Sequence, residues 1–203
     1  MRAVKKAGVL AAVFGICANF GLFLAKLYVS ISSSSLSIYC DAVNNLLDVG
    51  SCALALLAFL LLSRLNDRQS LRAQGLCTFL IELIIAGTGI YFFYNGLQRA
   101  LYPIPISYSY KYAAVIGATI IAKALMALIY SRFNKRIDSG IIRALVLDCL
   151  LDCGITAFTL IGLIVVPKIG FAADGIFALV LGAIISASAI KDVIKEAKKL
   201  IND

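Results

Sequence analysis

Long apolar runs separated by short polar breaks dominate this chain. Six stretches, about 7–31, 36–63, 74–97, 110–131, 141–166 and 170–192, are predominantly apolar. Each offers roughly the 20 residues that a helix needs to cross a bilayer core of ~30 Å. The breaks carry loop chemistry. They are Ser32-Ser33-Ser34-Ser35, Arg64 to Arg72 with Asn66, Asp67 and Gln69, Tyr102-Pro103-Ile104-Pro105, Arg132 to Gly140, and Pro167-Lys168-Ile169-Gly170. Two prolines so close together, Pro103 and Pro105, cannot continue a helix. The N-terminus, Met1-Arg2-Ala3-Val4-Lys5-Lys6, has the basic flank of a signal peptide, but the apolar run behind it continues to about Ile31 without a small-residue cleavage pattern. It reads as an uncleaved first span. The pattern predicts an all-α membrane protein, a six-transmembrane-helix bundle forming a single transmembrane domain over 1–203, with no C-terminal soluble domain.

Composition agrees and narrows the field. Of 203 residues, 62% are hydrophobic and 15% charged, against about 45–50% and about 25% in an average soluble domain. A soluble globule, a disordered chain and a coiled coil are disfavoured together. The absence of histidine and tryptophan removes Ser-His and Cys-His nucleophile pairs and any His-ligated zinc site. Each of the six cysteines lies in or beside an apolar run, where a free thiol packs as a small hydrophobe.

The net charge of +8 is distributed as a topology signal rather than as a nucleic-acid patch. Fourteen of the nineteen basic residues fall at the N-terminus, in the second and fourth breaks, near the start of the fifth span, and at the C-terminus. Arg99, Lys111 and Lys168 fall on the other side, and Lys26 and Lys123 lie within spans. By the positive-inside rule both termini are cytoplasmic. The expected setting is a multi-pass protein of a cell membrane of the bacterial inner or plasma type, with the lipid bilayer as partner and no nucleic acid.

Ionisable residues inside apolar spans are costly and read as functional by default. The second span carries Asp41, Asn44, Asn45 and Asp48, and the fifth carries Asp148 and Asp152. Residues four apart share a helix face, so Asn44 with Asp48 and Asp148 with Asp152 form two vertical pairs. If the two helices face each other, four oxygen-bearing side chains converge. Three carboxylates repel one another unless protons or a cation neutralise them. Interhelical hydrogen bonding is the competing reading, stronger for Asn44 or Asn45 taken alone than for paired acids.

The run Ser35-Leu-Ser-Ile-Tyr-Cys-Asp-Ala-Val-Asn-Asn-Leu-Leu-Asp-Val-Gly-Ser51 resembles the second-helix signature of cation diffusion facilitators, and Arg143-Ala-Leu-Val-Leu-Asp-Cys-Leu-Leu-Asp152 resembles their fifth helix. The resemblance covers nearly the whole chain. It implies a tetrahedral metal site formed by Asn44, Asp48, Asp148 and Asp152; Asp41, Asn45 and Glu82, which the resemblance does not assign, are candidate accessories. The Asn-Asp-Asp-Asp set is similar to that of the family's bacterial manganese exporters, whereas zinc-selective members usually carry histidine. The resemblance also implies a homodimer and a charge interlock between Arg72 and Asp203. The stretch Gln69-Ser-Leu-Arg72-Ala73-Gln74 keeps only the basic residue and alanine of the family's third-helix entry. Glu82 matches no family role and stays open between a proton relay and a partner for Lys123 or Lys26.

Oxygen donors suit Mn(II), Mg(II) or Fe(II), while imidazole and thiolate suit zinc. Cys149 and Cys153, one residue along from the acids, turn about 100° away and read as packing. The expected function is therefore divalent cation efflux by alternating access, a Mn(II)/proton antiport, with zinc or iron as alternative cargo. No permanently bound cofactor and no enzymatic activity are expected. Glycines Gly15, Gly21, Gly50, Gly154, Gly162, Gly170 and Gly182 are expected to let helices approach. An intramembrane aspartyl protease, a proton-coupled drug exporter and a non-transporting sensor are the rival classes.

Overall fold

In the computed structural model the backbone is described for residues 2–61, 67–137 and 140–202, and side chains for most residues from Gly8 onward. Arg72 and Asp203, the two ends of the expected interlock, lie outside the described side chains. The chain is helical: α1 Arg2–Ser33, α2 Leu36–Leu61, α3 Asp67–Leu101, α4 Tyr110–Ile137, α5 Gly140–Ile169 and α6 Ala172–Asn202. Each of the six apolar runs falls largely within one helix. The described residues include no strand.

Among the described residues five helices, α1, α2, α4, α5 and α6, contain stretches long and apolar enough to cross a membrane. Helix α3 lies in backbone contact with α6. A methyl group added at Gly89 would meet the Ser186 amide nitrogen at 2.6 Å, and one at Gly96 would meet the Leu179 nitrogen at 2.5 Å. Gly175 and Gly182 approach Ala100 and Phe93 in the same way. Numbers rise on one helix as they fall on the other, so the pair is antiparallel. Only at glycine can two helix backbones come this close.

This seam corrects the sequence reading of the glycines. Gly15, Gly162 and Gly182 do face close neighbours, but Gly21, Gly154 and Gly170 have nothing within 4 Å of an added Cβ. Gly170 has a different job: at φ 119° it ends α5, and its amide donates to the Val166 carbonyl at 3.0 Å. Helix α5 absorbs Pro167 in its last turn, so the break there is shorter than expected. Ser34, at φ 60°, turns the chain between α1 and α2, a left-handed helix stop.

The helices α1–α2 and α4–α5 form antiparallel hairpins, and α3–α6 the third pair. One apolar cluster, with Leu22, Met126, Tyr130, Ile142 and Leu145, joins α1, α4 and α5. Another, with Phe92, Ala178, Leu181 and Ile185, joins α3 and α6 to Cys40 of α2. Outside these clusters large apolar side chains such as Leu83, Ile84, Ile121, Leu151 and Ile176 are exposed. Such a surface is suited to lipid. Tyr102, Tyr108 and Tyr110 are also exposed at the α3–α4 connection, where amphipathic rings favour the headgroup level.

A polar lock ties three elements at the end of the bundle holding the α1–α2 turn. Asp174, at the start of α6, accepts hydrogen bonds from the amides of Leu36 (2.7 Å) and Ser37 (3.2 Å) and the hydroxyls of Ser35 (2.8 Å) and Ser37 (2.7 Å). It therefore caps α2 from another helix. The orphan amides of a helix N-terminus need such an acceptor, and the helix dipole favours its charge. Arg99 of α3 lies 3.6 Å from Asp174 and donates to the Ser34 carbonyl at 2.6 Å.

Candidate metal centre

The polar residues of α2 and α5 meet along one antiparallel contact in two layers. Asp41 and Asp48 stand two turns apart on α2, about 10 Å along the axis. Thr156 and Thr159 of α5 face the first, and Asp152 lies beside the second through a shared lysine partner.

In the layer nearer the α1–α2 turn, Asp41 is fully buried and fully paired. Lys26 of α1 donates to its Oδ1 at 2.8 Å, and Thr156 donates to the same oxygen at 3.1 Å. Thr159 donates to Oδ2 at 3.1 Å. Lys26 donates also to the Thr156 hydroxyl at 2.7 Å. Every carboxylate oxygen here has a protein donor.

The deeper layer is different. Asp48, Asp148 and Asp152 each bring a carboxylate oxygen within 4.8 Å of the others. Asn44 joins them by donating its amide to Asp152 Oδ1 at 2.7 Å. Asn45, on the neighbouring face of α2, donates to Asp48 Oδ2 at 3.2 Å and holds that carboxylate. Asp48 and Asp152 are buried, while Asp148 is partly open. The four residues named from the sequence are thus brought together, with Asn45 in a supporting position and Asp41 in a separate layer. Glu82 of α3 lies near enough to Asp148 to act on it electrostatically.

The sequence alone assigns the two intramembrane lysines no role beyond pairing of one of them with Glu82. Lys123 of α4 is completely buried, with its Nζ 2.8 Å from Asp48 Oδ2 and bonded also to Asp152 Oδ2. Lys26 serves Asp41. Spacing within one helix cannot reveal such pairings, because the partners come from different helices. The signal available was the rule that a charge inside a span needs an opposite charge.

Among the described residues the donor set is oxygen-only. Cys149 is buried in the α1–α4–α5 apolar cluster. Cys153 directs its Sγ toward the Ile120 carbonyl at 3.7 Å. Both therefore pack as expected. With three carboxylates and one ammonium the deeper layer carries a formal charge of −2, the complement of one divalent cation.

This geometry falls within a recognisable protein class. Residues 12–201 match the cation efflux transmembrane domain, which spans nearly the whole chain. The protein belongs to the cation efflux, or cation diffusion facilitator, family. Its members are transporters of divalent metal cations rather than enzymes, so this chain is a multi-pass membrane protein of divalent cation efflux. No curated protein sequence matches the chain.

Proposed function

We propose that the chain exports Mn(II) from the cytoplasm in exchange for protons, binding the ion through Asn44, Asp48, Asp148 and Asp152. The observation that carries this reading is the convergence of three carboxylates within 4.8 Å, with an amide alongside and, among the described residues, no sulfur donor in the group. Hard oxygen donors suit Mn(II), and Zn(II) or Fe(II) are the alternative cargoes. Asn44 donates its NH2 to Asp152, and a turn of the side-chain amide would offer its carbonyl oxygen to a cation instead.

Proton coupling follows from ligand chemistry. Carboxylates bind a metal only when ionised, so metal entry releases protons and protonation expels metal. Rocking of the hairpins about a fixed midplane site would expose it to each side in turn. The site lies roughly 12–18 Å along α2 from its first residue, near the middle of a ~30 Å core. The reading includes cytoplasmic termini, a plasma-type membrane, a homodimer and the Arg72–Asp203 interlock.

Purified protein in proteoliposomes, with Mn, Zn, Fe, Co and Cd supplied in turn and internal pH recorded, tests the proposal. Mn-driven proton movement that disappears in Asp48→Ala and Asp152→Ala is the expected result. Metal flux without proton movement would overturn the antiport. Flux of zinc but not manganese would overturn the cargo.

A further inference from the structure

We propose that Lys123 is a tethered competitor of the transported cation, holding the empty site closed and weakening metal binding so that the ion can leave. The inference rests on the metal reading of the Asp48–Asp148–Asp152 cluster and assigns a role to a residue outside that ligand set.

Lys123 projects from α4, which contributes no carboxylate to the cluster, and its side chain is fully buried. Its ammonium is held by Asp48 Oδ2 and Asp152 Oδ2, one oxygen from each of the two buried acids. Asp148, the more open acid, stands outside these two ion pairs. A cation entering through Asp148 therefore meets two acids already bound to a positive charge. To take both as ligands it competes with Nζ for their negative charge, whichever oxygen of each it binds. The lysine cannot diffuse off, so it recaptures them when the ion departs.

The contrast with Lys26 supports this division. Lys26 meets one acid, whose second oxygen is held by Thr159, and Thr156 serves both residues of the pair. That pair is closed on itself. Lys123 instead bridges two of three mutually repelling carboxylates and leaves their layer with a charge of −2. Across a low-dielectric core, like charges a few ångströms apart interact strongly. The ammonium therefore opposes a divalent ion in the same cluster, whereas a purely structural lysine would support the site.

The two roles predict opposite signs. Full-length protein in lipid nanodiscs, titrated with Mn2+ as wild type, Lys123→Met and Lys123→Arg, separates them. Competition predicts that Lys123→Met binds Mn2+ about tenfold or more tightly, since a nearby unit charge is removed. Lys123→Arg should bind more weakly than wild type, because a guanidinium forks two carboxylates and stays charged. In vesicles, Lys123→Met should show a lower KM for Mn2+ together with a lower maximal rate.

Should Lys123→Met fold poorly without metal, Mn2+ should restore its thermal unfolding midpoint to near the wild-type value. Unchanged or weaker Mn2+ binding by Lys123→Met overturns the proposal, as does a fold that Mn2+ does not restore. Wild-type protein binding neither Mn2+ nor Zn2+ would remove the metal reading itself, and this one with it. Wild-type binding with no dependence on residue 123 would remove this one alone.

Discussion

Lys26 of α1 and Asp41 of α2 form an ion pair of 2.8 Å in which both side chains are inaccessible to solvent. Thr156 and Thr159 supply the remaining donors from α5, so three helices meet at one neutral group. Breaking a buried pair leaves a charge without compensation, at a cost of about 3–5 kcal/mol. Lys26→Met should therefore be severely destabilising. Lys26→Met combined with Asp41→Asn should recover much of the loss, because no charge is then left alone. Unfolding of the single and double variants in detergent micelles checks this. A double variant as unstable as the single one would contradict the pairing argument.

The glycine seam makes a second expectation. Gly96→Ala places a methyl group 2.5 Å from the Leu179 nitrogen, and backbone cannot rotate aside as a side chain can. Helices α3 and α6 must separate, at an order of 1–3 kcal/mol for overpacking. Gly117→Ala is the control, since nothing lies within 4 Å of its added Cβ and alanine favours the helix by up to about 1 kcal/mol. Thermal unfolding in one detergent should rank Gly117→Ala at or above wild type and Gly96→Ala clearly below.

How much of this was legible in the sequence depended on whether a feature is local. Apolar run length predicted the helices, and four-residue spacing placed Asn44 with Asp48 and Asp148 with Asp152. Both are properties of one helix at a time. The lysine pairings needed α1 beside α2 and α4 beside α5, which no periodicity encodes. Gly89, Gly96 and Gly175 passed unnoticed because glycine is common in spans, and only the path of a facing helix makes one essential. Asp174 was absorbed into an apolar run. Its role depends on Leu36 and Ser37, well over a hundred residues away.

Asp174 yields a third expectation. As the acceptor for the first amides of α2, it should be replaceable by asparagine with partial loss and by alanine with greater loss. Loss of a helix cap typically costs about 0.5–2 kcal/mol. Asp174→Ala also deprives Arg99 of its carboxylate. Hydrogen exchange should show the effect locally, with faster exchange at Leu36 and Ser37 while the amides around Asp48 remain protected. Uniform loosening of all of α2 would instead mean that the lock holds the helix as a whole.

The last expectation concerns cargo choice at Asn44. Its amide touches Asp152 at 2.7 Å, so residue 44 stands beside the carboxylates without adding charge. Asn44→Ala should weaken metal binding yet leave proton coupling, because Asp48, Asp148 and Asp152 remain. Asn44→His is the more informative change. Imidazole is a softer donor and a better zinc ligand than an amide oxygen, while the three carboxylates are unchanged. The ratio of Zn to Mn transport should therefore rise, chiefly through tighter zinc binding. Uptake of both ions into inverted vesicles by wild type, Asn44→Ala and Asn44→His measures the ratio directly. Asp48→Ala and Asp148→Ala should abolish uptake of either ion, since each removes a carboxylate needed to offset metal dehydration. An unchanged Zn-to-Mn ratio in Asn44→His, with both aspartate variants inactive, would place residue 44 outside the coordination shell while leaving the acids within it.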